Sequence, residues 1–261
     1  MAWRRERSRE GLNTRAGGHH CAVGWDDQRR RDRLWHRVLH SAAARPGGDC
    51  IDAVAVVAAD ALNVSGCEVV ITVRAAAAGT SPMNVHIVAA TASWAADMDA
   101  LQSAAGEGPS LSAMRSGIPG VAVDARALAG QWPGLAAMTP GDYNGAIFAF
   151  PVATTSSPFA TLTAYRRSPA ASTPDIADIG MDMAAIAATV LSEHLTEYVH
   201  RIETDTAGDG VAIAVGMLAA RHHLAAGDAG ALLRAAAFGR GQRPRDVAAD
   251  IIAGRFNPSD T

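Results

Sequence analysis

The C-terminal stretch constrains this chain most. Val211 to Phe256 read VAIAVGMLAARHHLAAGDAGALLRAAAFGRGQRPRDVAADIIAGRF. Three short segments carry apolar residues at helical spacing, and two Gly-marked breaks separate them. Ala and Gly stand where helices would approach closely, and Arg punctuates the rest. Three helices of this size pack on one another and leave no room for a catalytic cleft. Gly216 lies inside the first segment, where Gly costs about 1 kcal/mol relative to Ala. A residue kept against propensity predicts close contact with a neighbouring helix.

The order of residues is more specific than the periodicity. Ala214, Gly216 and Met217 form an Ala-x-Gly-hydrophobic element in the first segment. Ala229, Leu233 and Arg234 follow in the second, with Ala237 and Phe238 behind them. Asp246-Val247-Ala248, Ile251 and Ile252 complete the third. In this order the stretch resembles the ANTAR domain, an RNA-binding module of transcription antiterminators. It departs from the family at Val215, where many members carry Lys. The resemblance implies binding to a structured leader RNA. Arg234, Arg240, Arg243 and Arg245 are the candidate phosphate or base contacts. Only Arg234 sits at a family motif position; the other three are chosen by charge and by their place around the second break. The alternative is a module that binds protein and not RNA, which Val215 favours.

Charge agrees with a local, modest basic surface. Residues 1–33 hold nine Arg and five acids, residues 34–195 seven Arg and thirteen acids, and residues 196–261 seven Arg and eight acids. Within 221–255, six Arg face three Asp. All 23 basic residues are Arg, which together with abundant Ala reads as a GC-rich coding bias rather than a choice of guanidinium chemistry. The apolar run of about 18 residues that a membrane span needs is missing. The Arg-rich N-terminus lacks the apolar segment of a secretory signal. Three cysteines, Cys21, Cys50 and Cys67, with no C-x-x-C pair, argue against a disulfide framework or zinc knuckle and fit a reduced cytoplasm.

Residues 1–33 read as a disordered, Arg-rich tail, polar and without periodicity. His19-His20-Cys21 within it reads as solvated, not as a metal site. Leu34–Ala44 and Ile51–Leu62 are helical by pattern. Residues 66–73, 85–89, 146–151 and 161–165 are rich in β-branched and aromatic residues and read as strands. Helices, then strands, then a long helix predict an α+β unit over 34–195 with an antiparallel sheet. Between the strands stand Gly106-Glu107-Gly108-Pro109-Ser110, Gly117-Ile118-Pro119, Trp132-Pro133 and Phe148-Ala149-Phe150-Pro151. This pattern resembles a GAF domain of the subgroup joined to ANTAR modules. Members often carry Cys where this chain has Ser110, so thiol sensing at that position is not expected. The resemblance implies a small-molecule or redox sensor whose pocket lies between the sheet and its covering helices. Trp94, Trp132, Phe148 and Tyr165 are the candidate ligand-binding residues, with core or rim packing as the alternative for each. His86 is a candidate ligand that faces solvent equally well. No cofactor is implied.

Thr173 and Pro174 form a helix start. Apolar residues follow at Ile176, Ile179, Met183, Ile186 and Val190, then at Leu191, Leu195, Tyr198 and Ile202, one residue out of phase. Such an offset turns the stripe by about 100°. The first half would cover the sensor sheet. Leu191, Leu195, Tyr198 and Ile202 would form a homodimer interface, unless the helix has one broad apolar face. Residues 196–206 would connect the sensor to an ANTAR-like unit over 207–256. Catalysis finds no support: no G-x-S-x-G, H-E-x-x-H or Walker A sequence is present, and Asp97 and Asp99 point to different helix faces. The whole reads as a signal-responsive transcription antitermination regulator in which a GAF sensor controls RNA binding.

Overall fold

The computed structural model describes residues 17–45, 49–62, 66–74, 85–155, 157–194, 206–242, 244–256 and 258. Five strands form one antiparallel sheet: β1 (Cys67–Arg74), β2 (Val85–Ala90), β3 (Gly120–Ala122), β4 (Ile147–Val152) and β5 (Ala160–Arg166). Their order is β2-β1-β5-β4-β3. Every residue of β4 and β5 is buried, so both faces of the sheet centre are covered. Helices α1 (Gly17–Ala43), α2 (Cys50–Ala61) and α7 (Pro174–Glu193) cover one face. Helices α3 (Ser93–Ala105), α4 (Pro109–Ser116), α5 (Ala125–Gln131) and α6 (Pro133–Met138) cover the other.

Side chains alternate along a strand, and the alternation sorts the core. Val69, Ile71, Val73, Phe148, Phe150, Leu162 and Ala164 join the cluster under α1, α2 and α7. Val70, Ile147 and Tyr165 join the cluster under α3, α5 and α6. This is the α+β architecture with an antiparallel sheet that the strand and helix order predicts. A separate all-α unit follows: α8 (Thr206–His222), α9 (Ala226–Arg240) and α10 (Pro244–Ile252). Ala214, Leu218, Ala229, Leu233, Ala237, Val247, Ala248 and Ile251 are its buried core. His223 adopts a left-handed backbone at the first break, and Gly241 does so at the second.

Three expectations are corrected. The disordered tail expected over 1–33 does not extend past residue 16, because α1 begins at Gly17; residues 1–16 lie outside the described set. The Arg run within α1 has a buried partner. Asp182 on α7 is 3% exposed, and it accepts from Arg30 Nε at 2.7 Å and from Arg31 Nε and Nη2 at 3.0 and 2.9 Å. One helical turn on, Leu34, Val38 and Ala42 enter the core at spacing four. Leu191, expected at a dimer interface, is buried in the same intrachain core. The apolar face of α7 is broad enough to bury Leu191 together with Met183, Ile186 and Val190. Gly216 contacts no neighbouring helix: it is exposed, and a Cβ there would meet open space. Leu195, Tyr198, Ile202 and nearly all of the connecting segment lie outside the described residues.

The close approach expected of Gly216 occurs at Gly180. This residue lies on α7 against the sheet, and a Cβ there would fall inside the Phe150 ring. Gly180→Ala gains about 1 kcal/mol of helix propensity but forces apart a packed contact, which costs about 1–3 kcal/mol. The variant is expected to melt below wild type in a thermal scan. An unchanged or raised melting temperature would show that α7 yields freely.

Candidate sensor site and nucleic-acid interface

The α3–α6 side of the sheet is built differently from its dry opposite face. β5 sends Thr161, Thr163 and Tyr165 there, and β1 sends Thr72. Asp99 and Gln102 on α3, and Ser110 at the start of α4, meet them. All seven are buried. Tyr165 OH donates to Asp99 Oδ1 at 2.5 Å, and Thr72 Oγ1 donates to Oδ2 at 2.8 Å. Gln102 Nε2 donates to Tyr165 OH at 2.6 Å, and its Oε1 accepts from the Ser110 N–H at 2.8 Å. The Ser110 and Thr161 hydroxyls lie 3.0 Å apart. Thr163 Oγ1 and Tyr143 OH are buried without a hydrogen-bond partner among the described residues.

Burial disfavours the charged form and pushes the Asp99 carboxyl above the ordinary carboxylate range. Hydrogen bonds from Tyr165, Thr72 and Ser110 oppose that push. The Tyr165 phenol is pushed well up, first by burial and then by the neighbouring Asp99. The Gly-Glu-Gly-Pro element frames this network. Glu107 Oε1 accepts from the N–H groups of Gly134 and Leu135, at 2.6 and 3.2 Å, and so caps α6. Pro109 starts α4.

Three of the four candidate ligand residues share this side. Tyr165 is central, and Trp132 is buried nearby, its Nε1 donating to Ser112 Oγ at 2.9 Å. Trp94 packs at the edge, with Arg167 stacked 4.5 Å from its ring centroid. Phe148 is corrected. Ile147 is the residue paired with Tyr165 across β4 and β5, so Phe148 points to the opposite face. Asp99, Gln102 and the Thr row are absent from the sequence candidates. Their only signal is a period-two row of Thr and Tyr on a strand that is otherwise apolar. His86 stands on β2 opposite Val73. Among the described residues no group of three or more His, Cys, Asp or Glu is placed to hold a metal ion.

In the three-helix unit the four candidate arginines are not equivalent. Arg234 on α9 is half-buried, and loss of solvent lowers its guanidinium pKa. Arg240 is stacked 4.2 Å from the Phe256 ring centroid, donates to Gln242 Oε1 at 2.5 Å and pairs with Asp250 at 3.5 Å. Arg245 is exposed in the first turn of α10, 4.0 Å from Asp246. Arg243 lies outside the described residues. Val215 is half-buried against the unit's core, so an apolar residue at this position packs.

The comparisons with known proteins now bear on this unit. Residues 209–252 match the ANTAR domain. No curated protein matches the chain. The sensor part is similar to the GAF domain from Acinetobacter phosphoenolpyruvate-protein phosphotransferase, at 13% identity and a TM-score of 0.46, covering 67% of this chain and 95% of that one. It is also similar to the A. aeolicus nlh2 GAF domain in an inactive state, at 12% identity and a TM-score of 0.40, covering 64% of this chain and 99% of that one. No helix among the described residues is long and apolar enough to cross a membrane.

The raised pKa of Asp99 carries a sign that can be checked. Below the ordinary carboxylate value, Asp99 is protonated in both folded and unfolded chains. As pH rises through that value the unfolded chain ionises first, and stability is lost until the folded group ionises too. Asp99→Asn removes this contribution. The stability of wild type relative to Asp99→Asn, from urea unfolding at a series of pH values, is expected to fall as pH rises from about 4. A rising difference would mean that the hydrogen bonds outweigh burial.

Proposed function

We propose that this protein is a signal-responsive, RNA-binding transcription antitermination regulator. A GAF sensor over 34–195 controls an ANTAR module over 207–256. The observation that carries the reading is the ANTAR match over residues 209–252, on a unit whose α9–α10 end carries Arg240 and Arg245. The partner is a structured leader transcript, read in its unstacked loop, where bases are accessible. The signal is a small molecule acting at the polar network of Asp99, Gln102 and Tyr165, with Trp94 and Trp132 beside it. One specific observation favours a second reading, in which the module binds protein instead. Val215 packs on the core where many ANTAR members carry Lys, and Arg240 is tied to Asp250.

Salt dependence separates the two readings. Neutralised phosphates make RNA affinity fall steeply with salt, whereas a protein-binding module retains no RNA. Arg240→Ala with Arg245→Ala is expected to flatten the slope of log affinity on log salt by about one for each lost contact. Helical content by circular dichroism should not change. Wild-type affinity and slope in the double variant would remove these two residues from the interface.

Homodimerisation through Leu195, Tyr198 and Ile202 belongs to the same proposal, since a sensor without catalysis signals by shifting between arrangements. Light scattering should show a wild-type dimer and a monomeric Leu195→Glu, Ile202→Glu variant. A monomeric wild type, or a variant that stays dimeric, takes this segment out of the proposal.

A further inference from the structure

One face of α9 is already occupied. Gly230, Arg234 and Phe238 lie at spacing four and form a single row along the helix. Gly230 is buried, and the Arg234 guanidinium folds back over it: Nη1 lies 3.3 Å from where a Gly230 side chain would begin. At the other side of Arg234 is the last turn of the sensor's α3. Gly106 ends that helix in a left-handed conformation, and Arg234 Nε lies 3.8 Å from the position of an added Cβ. Phe238, the next residue of the row, is left 47% exposed.

An Arg and an exposed aromatic residue in one row of a helix are the side-chain types on which unstacked RNA bases rest. Each stacked base contributes about 1–3 kcal/mol, with little regard to sequence. Phe238 is not part of the buried core of the three-helix unit, so its ring is open to a partner. The sensor covers the cationic half of the pair. The covering turn is also tied to the polar network. The Gly106 N–H donates to the Gln102 carbonyl, while the Gln102 side chain bonds Tyr165 and Ser110.

We propose that the Arg234–Phe238 face of α9 stacks RNA bases, and that the Gly106 turn of the sensor docks on the same face and competes with RNA for it. This rests on the RNA-binding reading above. A change in the Asp99–Gln102–Tyr165 network then reaches the RNA face through a single helical turn.

The test places a charge at Gly106 in the full chain. Asp and Asn are the side chains that best tolerate a left-handed backbone, and they differ here mainly in charge. Gly106→Asp pairs with Arg234 and holds the docked form; Gly106→Asn is the neutral control. With a pool of RNA hairpins carrying randomised loops as the probe, the Asp variant is expected to bind about threefold to tenfold more weakly than the Asn variant. In an Arg234→Ala background the two should converge. Equal affinities in the first background, or an undiminished gap in the second, overturn the competition. Phe238→Ala should lose about tenfold in affinity with an unchanged melting temperature, and wild-type affinity there overturns the stacking role. Dicarbonyl labelling of Arg234, read by mass spectrometry, needs no RNA. Slower labelling in the Asp than in the Asn variant supports docking, and equal rates overturn it. RNA retention by none of these proteins at any salt concentration would instead defeat the underlying RNA-binding reading.

Discussion

Strand β5 lies at the centre of the sheet, paired on both sides and covered on both faces. Alternation along it sends Leu162 and Ala164 to one side and Thr161, Thr163 and Tyr165 to the other. The first side is dry and close-packed, and it fixes α1, α2 and α7. The second must satisfy a row of hydroxyls. A buried hydroxyl without a partner costs about 1–3 kcal/mol, so α3 and α4 present Asp99, Gln102 and Ser110 to that row. One strand thus divides the sheet domain into an apolar half and a polar half.

The polar half carries its own tension. Asp99 is a buried carboxyl held by the Tyr165 and Thr72 hydroxyls, with its pKa raised by burial. The protonation of such a group depends on where its donors sit. Gln102 bonds the network with its side chain and closes the last turn of α3 with its backbone. The three-helix unit meets the sheet domain at the end of that helix, where Arg234 lies beside Gly106. Packed elements transmit such a change as a shift between discrete arrangements rather than as gradual deformation.

How much was legible in the sequence followed the physics of each element. The three-helix unit was legible because motif residues such as Leu233 and Val247 are also its core, so order and burial coincide. The strands were legible from β-branched runs. The start of α1 was hidden because Arg30 and Arg31 are held by Asp182, a partner about 150 residues away in sequence. Phe148 was misplaced because composition does not set strand register, and one residue of register exchanges the faces. Leu191 was assigned to an interface because a stripe does not show how broad a helix face its own fold covers. Gly216 shows that Gly in a helix need not mark a contact, while Gly180, which does, gave no signal. Asp99 was set aside because it and Asp97 point to different helix faces, and its partners come from β1 and β5, far away in sequence.

The central claim is that the ANTAR module binds RNA under the sensor's control. Crosslinking the full-length protein to RNA in its host, followed by sequencing of the bound transcripts, tests it most directly. The account predicts reads concentrated on stem-loops in leader transcripts upstream of terminators. Recovery of protein partners alone, with no RNA above an uncrosslinked control, would contradict it.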